Sequence, residues 1–204
     1  IGVAPLKGHE FYRAARNVGG EFIQISPASK NCINIMEIRK VDNSVNELLD
    51  GPTLDASALA GKIQRLHIFF SLLIPDMSHE EKQLLDEALI KTYARKGITH
   101  KNESLTDPQH PEQYKKMPIL EDVYNVLLES EDTKRLAHIL NRLVHGSASS
   151  FNQQTNVDLT NKYTVLDISE LTGSSDLLTV GMFVALDYVW DKAKENRTEE
   201  KAIF

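Results

Sequence analysis

Few residues in this 204-residue sequence stand at the spacings that chemistry requires. Gly61-Lys62 is its one Gly-Lys pair, and a phosphate loop G-x-x-x-x-G-K-[ST] would need glycine at 56 and Ser or Thr at 63. Ala56 and Ile63 occupy those positions, inside a helical pattern, so the pair offers no phosphate cradle. Seven histidines could supply metal ligands, yet His79-Glu80 lacks a second histidine four residues on, and His138 and His145 lie two turns apart. Such spacings suit solvated or capping roles, because a metal site needs ligands that converge. Glu80-Glu81 and Glu121-Asp122 fall in helix first turns, where the helix dipole favours a carboxylate. No G-x-G-x-x-G, G-x-S-x-G or H-E-x-x-H occurs, which removes local support for dinucleotide, serine-hydrolase and zinc-protease chemistry. Cys32 is the single cysteine, so neither an intrachain disulfide nor a cysteine-rich zinc site can form, and a reducing cytoplasm fits.

Hydrophobic periodicity outlines the scaffold around these residues. Phe11, Ala14, Ala15 and Val18 predict a helix from Gly8 to Val18, stopped by Gly19-Gly20, and Glu21 to Ser26 then reads as a strand ended by Pro27. From Thr53 to about Gly146 the pattern becomes helical. One helix is expected from about Asp55 to Ile74, and a second opens at Ser78 with Glu81 at capping-box spacing and runs to Gly97. Two more fit Pro118 to Glu129 and Asp132 to His145. Between them Ile98 to Met117, with Pro108 and Pro111 and no apolar period, reads as a mobile loop. Tyr163 to Ile168 then predicts a buried strand, Ser175 to about Asn196 a helix packed through Leu178, Met182, Ala185 and Val189, and Lys201 to Phe204 a further strand. Strand, helix, strand is the unit of a parallel sheet, so the fold class expected is α/β interrupted by an all-α block.

Bulk properties narrow the function. Hydrophobic content of 41% supports a buried interior, and no apolar run approaches the roughly 20 residues of a membrane helix. A formal charge of -6 argues against a surface that binds nucleic acid mainly through phosphates, leaving only a local basic patch for DNA. The sequence starts at Ile1 and stops at the apolar Ala202-Ile203-Phe204, so both ends read as cuts through a larger protein.

Several segments taken together resemble a known family. Pro5-Leu6-Lys7-Gly8-His9-Glu10-Phe11, Gly19-Gly20-Glu21-Phe22-Ile23, Ser26-Pro27 and Ile33-Asn34-Ile35-Met36-Glu37-Ile38 follow in the order and spacing of conjugal transfer ATPases, the TraC/TraE-like or VirB-four-type motors of type IV secretion. Phe151-Asn152, Thr155 to Leu159, Val165 to Leu171 and Asp187 to Asp191 resemble that family's return to its core. Two departures stand out: Ala4 where many relatives carry an acid, and Ile35 where an Asn-Pro turn is usual.

The resemblance implies a partial RecA-like P-loop NTPase core in residues 1–50 and 147–204, split by an all-α insertion over 51–146. It places the chain between the Walker A loop and the Walker B acids, both absent from the sequence, with ATP and magnesium bound by the full-length parent and not by this piece. Glu10 is the catalytic candidate it offers, and Lys7 and Asn34 are the candidates for nucleotide contact. Partners implied for the parent are other secretion components and further copies of itself, at the inner face of the cell membrane or free in the cytoplasm. Two alternatives are a helical interaction module without chemistry and a different RecA-like translocase or coupling protein.

Overall fold

The computed structural model describes residues 1–4, 8–39 and 57–194. Lys7, the segment 40–56 and the strand expected at 201–204 lie outside them. Three short strands, β1 (Gly2–Ala4), β2 (Glu21–Gln24) and β3 (Thr164–Asp167), form one parallel sheet in the order β1-β3-β2. Register pairs Ala4 and Gln24 with Asp167, which brings all three carboxyl ends to one edge. The strands near Ile23 and Val165, far apart in sequence, thus share a sheet.

Side-chain alternation on β3 explains what covers each face. Val165 meets Ala15 and Phe22 under helix α1 (Gly8–Asn17), whereas Leu166 and Ile23 join the main core on the opposite side. The double glycine ends α1 as expected. Gly19 has φ +69°, its N–H donates to Arg16 O at 3.3 Å, and Gly20 N–H donates to Ala15 O at 2.7 Å, a Schellman cap. Gly20 has a second constraint: a β-carbon there would meet Tyr163 O at 2.6 Å.

Four helices follow between 57 and 145: α2 (Ala58–Leu73), α3 (His79–Arg95), α4 (Leu120–Leu127) and α5 (Lys134–Val144). Ser78 and Glu81 form the capping box that their spacing predicts, with Ser78 N to Glu81 Oε2 at 2.8 Å and Glu81 N to Ser78 Oγ at 3.1 Å. Gly97, φ +69°, closes α3 with a second Schellman cap, and Ile98 just beyond it is fully buried. Leu136, Leu140 and Leu143 on α5 are also fully buried, each contributing about 1.5–3 kcal/mol.

The loop 98–117 departs from expectation. It does have apolar groups to bury: Ile98, Leu105 and Met117 sink into the core, a short 3-10 turn spans Asn102–Leu105, and Thr106 bridges Tyr114. Three anchors without a common period gave no sequence signal. A last helix, α6 (Ser175–Lys194), packs on α2, but with its expected face rotated. Leu177, Val180, Val184 and Tyr188 are its deeply buried residues, while Leu178 and Met182 are only partly covered. One apolar cluster joins the inner face of the sheet to all of α2–α6.

Candidate functional site

Parallel strands present ligands with their carboxyl ends, because there the backbone opens into loops and helix starts. Here that edge carries Ala4, Gln24 and Asp167 side by side. Glu10 stands in the first turn of α1, the helix following β1, and is exposed to solvent. Asp167 is buried and accepts Ser169 N–H at 3.0 Å. Gln24 donates to Glu170 at 3.0 Å. The edge is thus acidic and partly committed to its own loops.

Asn34 has a different position. It is fully buried, its Nδ2 donates to Pro118 O at 2.9 Å, its Oδ1 accepts Met36 N–H at 3.0 Å, and its own N–H donates to Thr155 Oγ1 at 3.0 Å. Glu37 N–H donates to Asn34 O at 3.1 Å, closing a turn over residues 34–37. The side-chain bond to Met36 N–H imposes that turn without proline, which accounts for the tolerance of Ile35. Asn34 therefore spends its polar groups on ordering its loop.

Below that loop lies a cluster that the sequence reading missed. Lys62 on α2 is almost fully buried, with Nζ 3.2 Å from Ile35 O and 3.3 Å from Asp187 Oδ2. Arg65, one turn on, reaches Asp187 Oδ1 at 3.0 Å and Asp191 Oδ1 at 2.6 Å. Arg39 completes the set with Asp191 Oδ2 at 2.9 Å and Glu37 Oε2 at 3.2 Å, its guanidinium stacked 4.5 Å over the Tyr188 ring. Burial pushes the Lys62 amine below its ordinary value, against the pull of Asp187. Burial alone would raise Asp191, but the hydrogen bond from Arg65 and the charges of Arg65, Lys62 and Arg39 outweigh it and hold the carboxyl low. No buried side-chain nitrogen or oxygen among the described residues lacks a hydrogen bond. A readable signal existed, since Lys62 interrupts the stripe Leu59, Ile63, Leu66 and Phe70, and Asp187 and Asp191 interrupt the Val180, Val184, Tyr188 stripe. Charges at core-facing positions of two helices predict a pairing between them. The Gly-Lys pair that fails as a phosphate loop thus supplies a buried cation to an interior ion cluster.

Beside the cluster opens a cavity of about 530 Å³ between the 112–117 segment, Glu37 to Arg39, Gln154 to Val157 and α6. Cys32 is buried nearby against Gln153 O, and burial pushes its thiol up to about 11, which leaves it unreactive.

Magnesium-bound ATP needs a backbone phosphate cradle and oxygen ligands for the metal. The sequence has no phosphate loop, and among the described residues no three His, Cys, Asp or Glu side chains group as a metal site. The residues present do not fit that ligand by themselves.

Comparison with solved structures places the fold. The chain superposes on VirB4 of Thermoanaerobacter pseudethanolicus with a TM-score of 0.80, at 23% sequence identity, covering 99% of this chain and 72% of that one. The resemblance read from scattered motifs is thus matched by a likeness of fold over nearly the whole chain. No protein-family model matches the sequence, and no curated protein does. No described helix is long and apolar enough to cross a membrane.

Proposed function

We propose that this chain is the frame of a VirB4-type motor ATPase of type IV secretion, lying between the phosphate loop and the Walker B acids of its parent. The observation that carries this reading is the VirB4 fold over 99% of the chain, joined to motifs that follow the order of the same family. Residues 1–50 and 147–204 form the RecA-like part in this proposal, and 51–146 the helical insertion. The sheet joining β2 to β3 across the helices supports that division. ATP and magnesium belong to the parent, whose flanking motifs supply the cradle that this sequence lacks. The chain alone is inactive, and the parent works as an oligomer with other secretion components.

Glu10 lies toward the phosphates of the whole protein in this reading, because it opens the helix after an edge strand whose carboxyl end joins those of β2 and β3. Lys7 is assigned beside it, and Asn34 to its loop. The test is phosphate release by a longer chain carrying both flanking motifs, with and without Glu10→Gln. The longer chain should turn over, and the substitution should lower kcat by about a hundredfold or more with KM little changed. A Glu10→Gln protein with full kcat would confine Glu10 to the first turn of its helix. A longer chain without turnover would favour the non-catalytic interaction module.

A further inference from the structure

The cavity beside the ion cluster is built from four separate stretches of chain, and its lining differs in charge from the protein as a whole. Arg39, Lys115, Lys116 and Lys192 face Glu37 and Glu112 there, whereas the whole chain carries -6. Much of this polarity is already committed. Arg39 is held by Asp191 and Glu37, Thr155 Oγ1 accepts Asn34 N–H, Gln154 donates to Met117 O at 2.8 Å, and Lys115 Nζ donates to Gly97 O at 2.7 Å. Lys116 is exposed at the rim and makes no ion pair among the described residues. Between the charged groups the lining is apolar and aromatic: Ile38, Tyr114, Met117, Val157 and Tyr188.

We infer that this cleft docks an acidic segment of a partner polypeptide, its carboxylates against Lys116, Lys192 and Lys115 and an intervening apolar side chain against Tyr114, Met117 and Val157. Charge complementarity selects the occupant. A cationic rim on an acidic protein attracts an acidic segment while the rest of the surface repels it, which fixes where the segment lands. The volume, about 530 Å³, suits one or two side chains of an extended peptide. A nucleic-acid backbone fits less well, since Glu37 and Glu112 would face its phosphates and the surrounding chain is negative. The wall at 112–117 is held firmly enough to serve, through Lys115 N–H on Leu105 O at 2.8 Å and the Thr106–Tyr114 bridge. This inference is independent of the nucleotide chemistry of the parent.

The test uses the chain with a short fluorescein-labelled peptide of alternating glutamate and leucine, read by fluorescence anisotropy at low salt. Binding should be saturable, be lost when glutamine replaces glutamate in the peptide, and weaken about tenfold with Lys116→Glu and further with Lys192→Glu added. Tyr114→Ala should weaken it as well, and Lys91→Glu, on an exposed face of α3, should not. Circular dichroism confirms the fold of each variant, and Lys116→Glu alone decides the matter if the double variant unfolds. Absence of saturable binding, or binding indifferent to Lys116→Glu, overturns the inference. Displacement of the peptide by a short oligothymidylate that itself responds to Lys116→Glu also overturns it, in favour of a nucleic-acid site.

Discussion

The two ends of this molecule solve burial differently. At the sheet, α1 caps its backbone fully yet leaves Phe11, Tyr12 and Val18 at 41%, 44% and 64% exposure, with Ala15 alone buried. Among α2–α6, Leu66, Phe69, Phe70, Leu89, Leu127 and Leu140 are shut off from solvent, and even the charges at the interior are paired. Local hydrogen bonding is therefore complete in both regions, while tertiary burial is complete only in the helical one. The contrast shows that a helix can be well specified by its own sequence and still lack a surface to pack against.

Breaking the ion cluster should have the largest effect. Asp187→Leu leaves Lys62 and part of Arg65 without their carboxylate in a dry interior and should cost about 3–5 kcal/mol in urea unfolding. Lys62→Met should cost far less, because it removes a buried cation without stranding an anion: Asp187 keeps Arg65 and Arg39. Equal costs for the two would mean that the cluster works as a unit and not through its carboxylates.

The same cluster sets a pH dependence. A carboxyl depressed in the folded state stabilises above its unfolded value near 4 and loses that contribution as pH falls through its folded value. Asp191→Asn should therefore be less stable than the parent sequence at neutral pH, with the gap narrowing below about pH 4. The lowered Lys62 acts in the same sense at alkaline pH: the unfolded chain binds more protons between the folded value and about 10.4, so stability rises with pH across that window. Denaturant melts across pH check both signs.

At the sheet the expected effects are smaller and more local. Gly20→Ala should cost about 1–3 kcal/mol, since its β-carbon meets the backbone oxygen of Tyr163 and must push β2 from β3. Ser78→Ala, which opens the capping box of α3, should cost about 1 kcal/mol. Val18→Ser on the uncovered face of α1 should change stability by about 0.5 kcal/mol or less. A larger loss at Val18 would show that α1 is covered in solution and would weaken the contrast between the regions.

What the sequence made legible follows from the range of the interactions involved. Caps and helices depend on neighbours within five residues, so Gly19-Gly20, the Ser78–Glu81 box and most helix spans could be read directly. The pairing of β2 with β3 came from pattern plus topology. The burial in 98–117 and the rotation of α6 could not be read, because Ile98, Leu105 and Met117 have no common period and α6 is covered on most sides. The ion cluster needed three distant segments at once: Arg39, then Lys62 with Arg65, then Asp187 with Asp191. At the candidate nucleotide side, Glu10 sits in the first turn of α1 behind an edge strand, while Asn34 turned inward.

The central claim, that this chain is a frame whose nucleotide chemistry is supplied by flanking sequence, is tested most directly by titrating the chain itself with ATP and magnesium in a calorimeter. Tight triphosphate binding requires a cradle of backbone N–H groups and a metal site, and a single carboxylate at Glu10 with the amine of Lys7 supplies neither. The account predicts no saturable heat for this chain and clear saturation for a chain extended through both motifs. Micromolar binding by the 204 residues alone would contradict it.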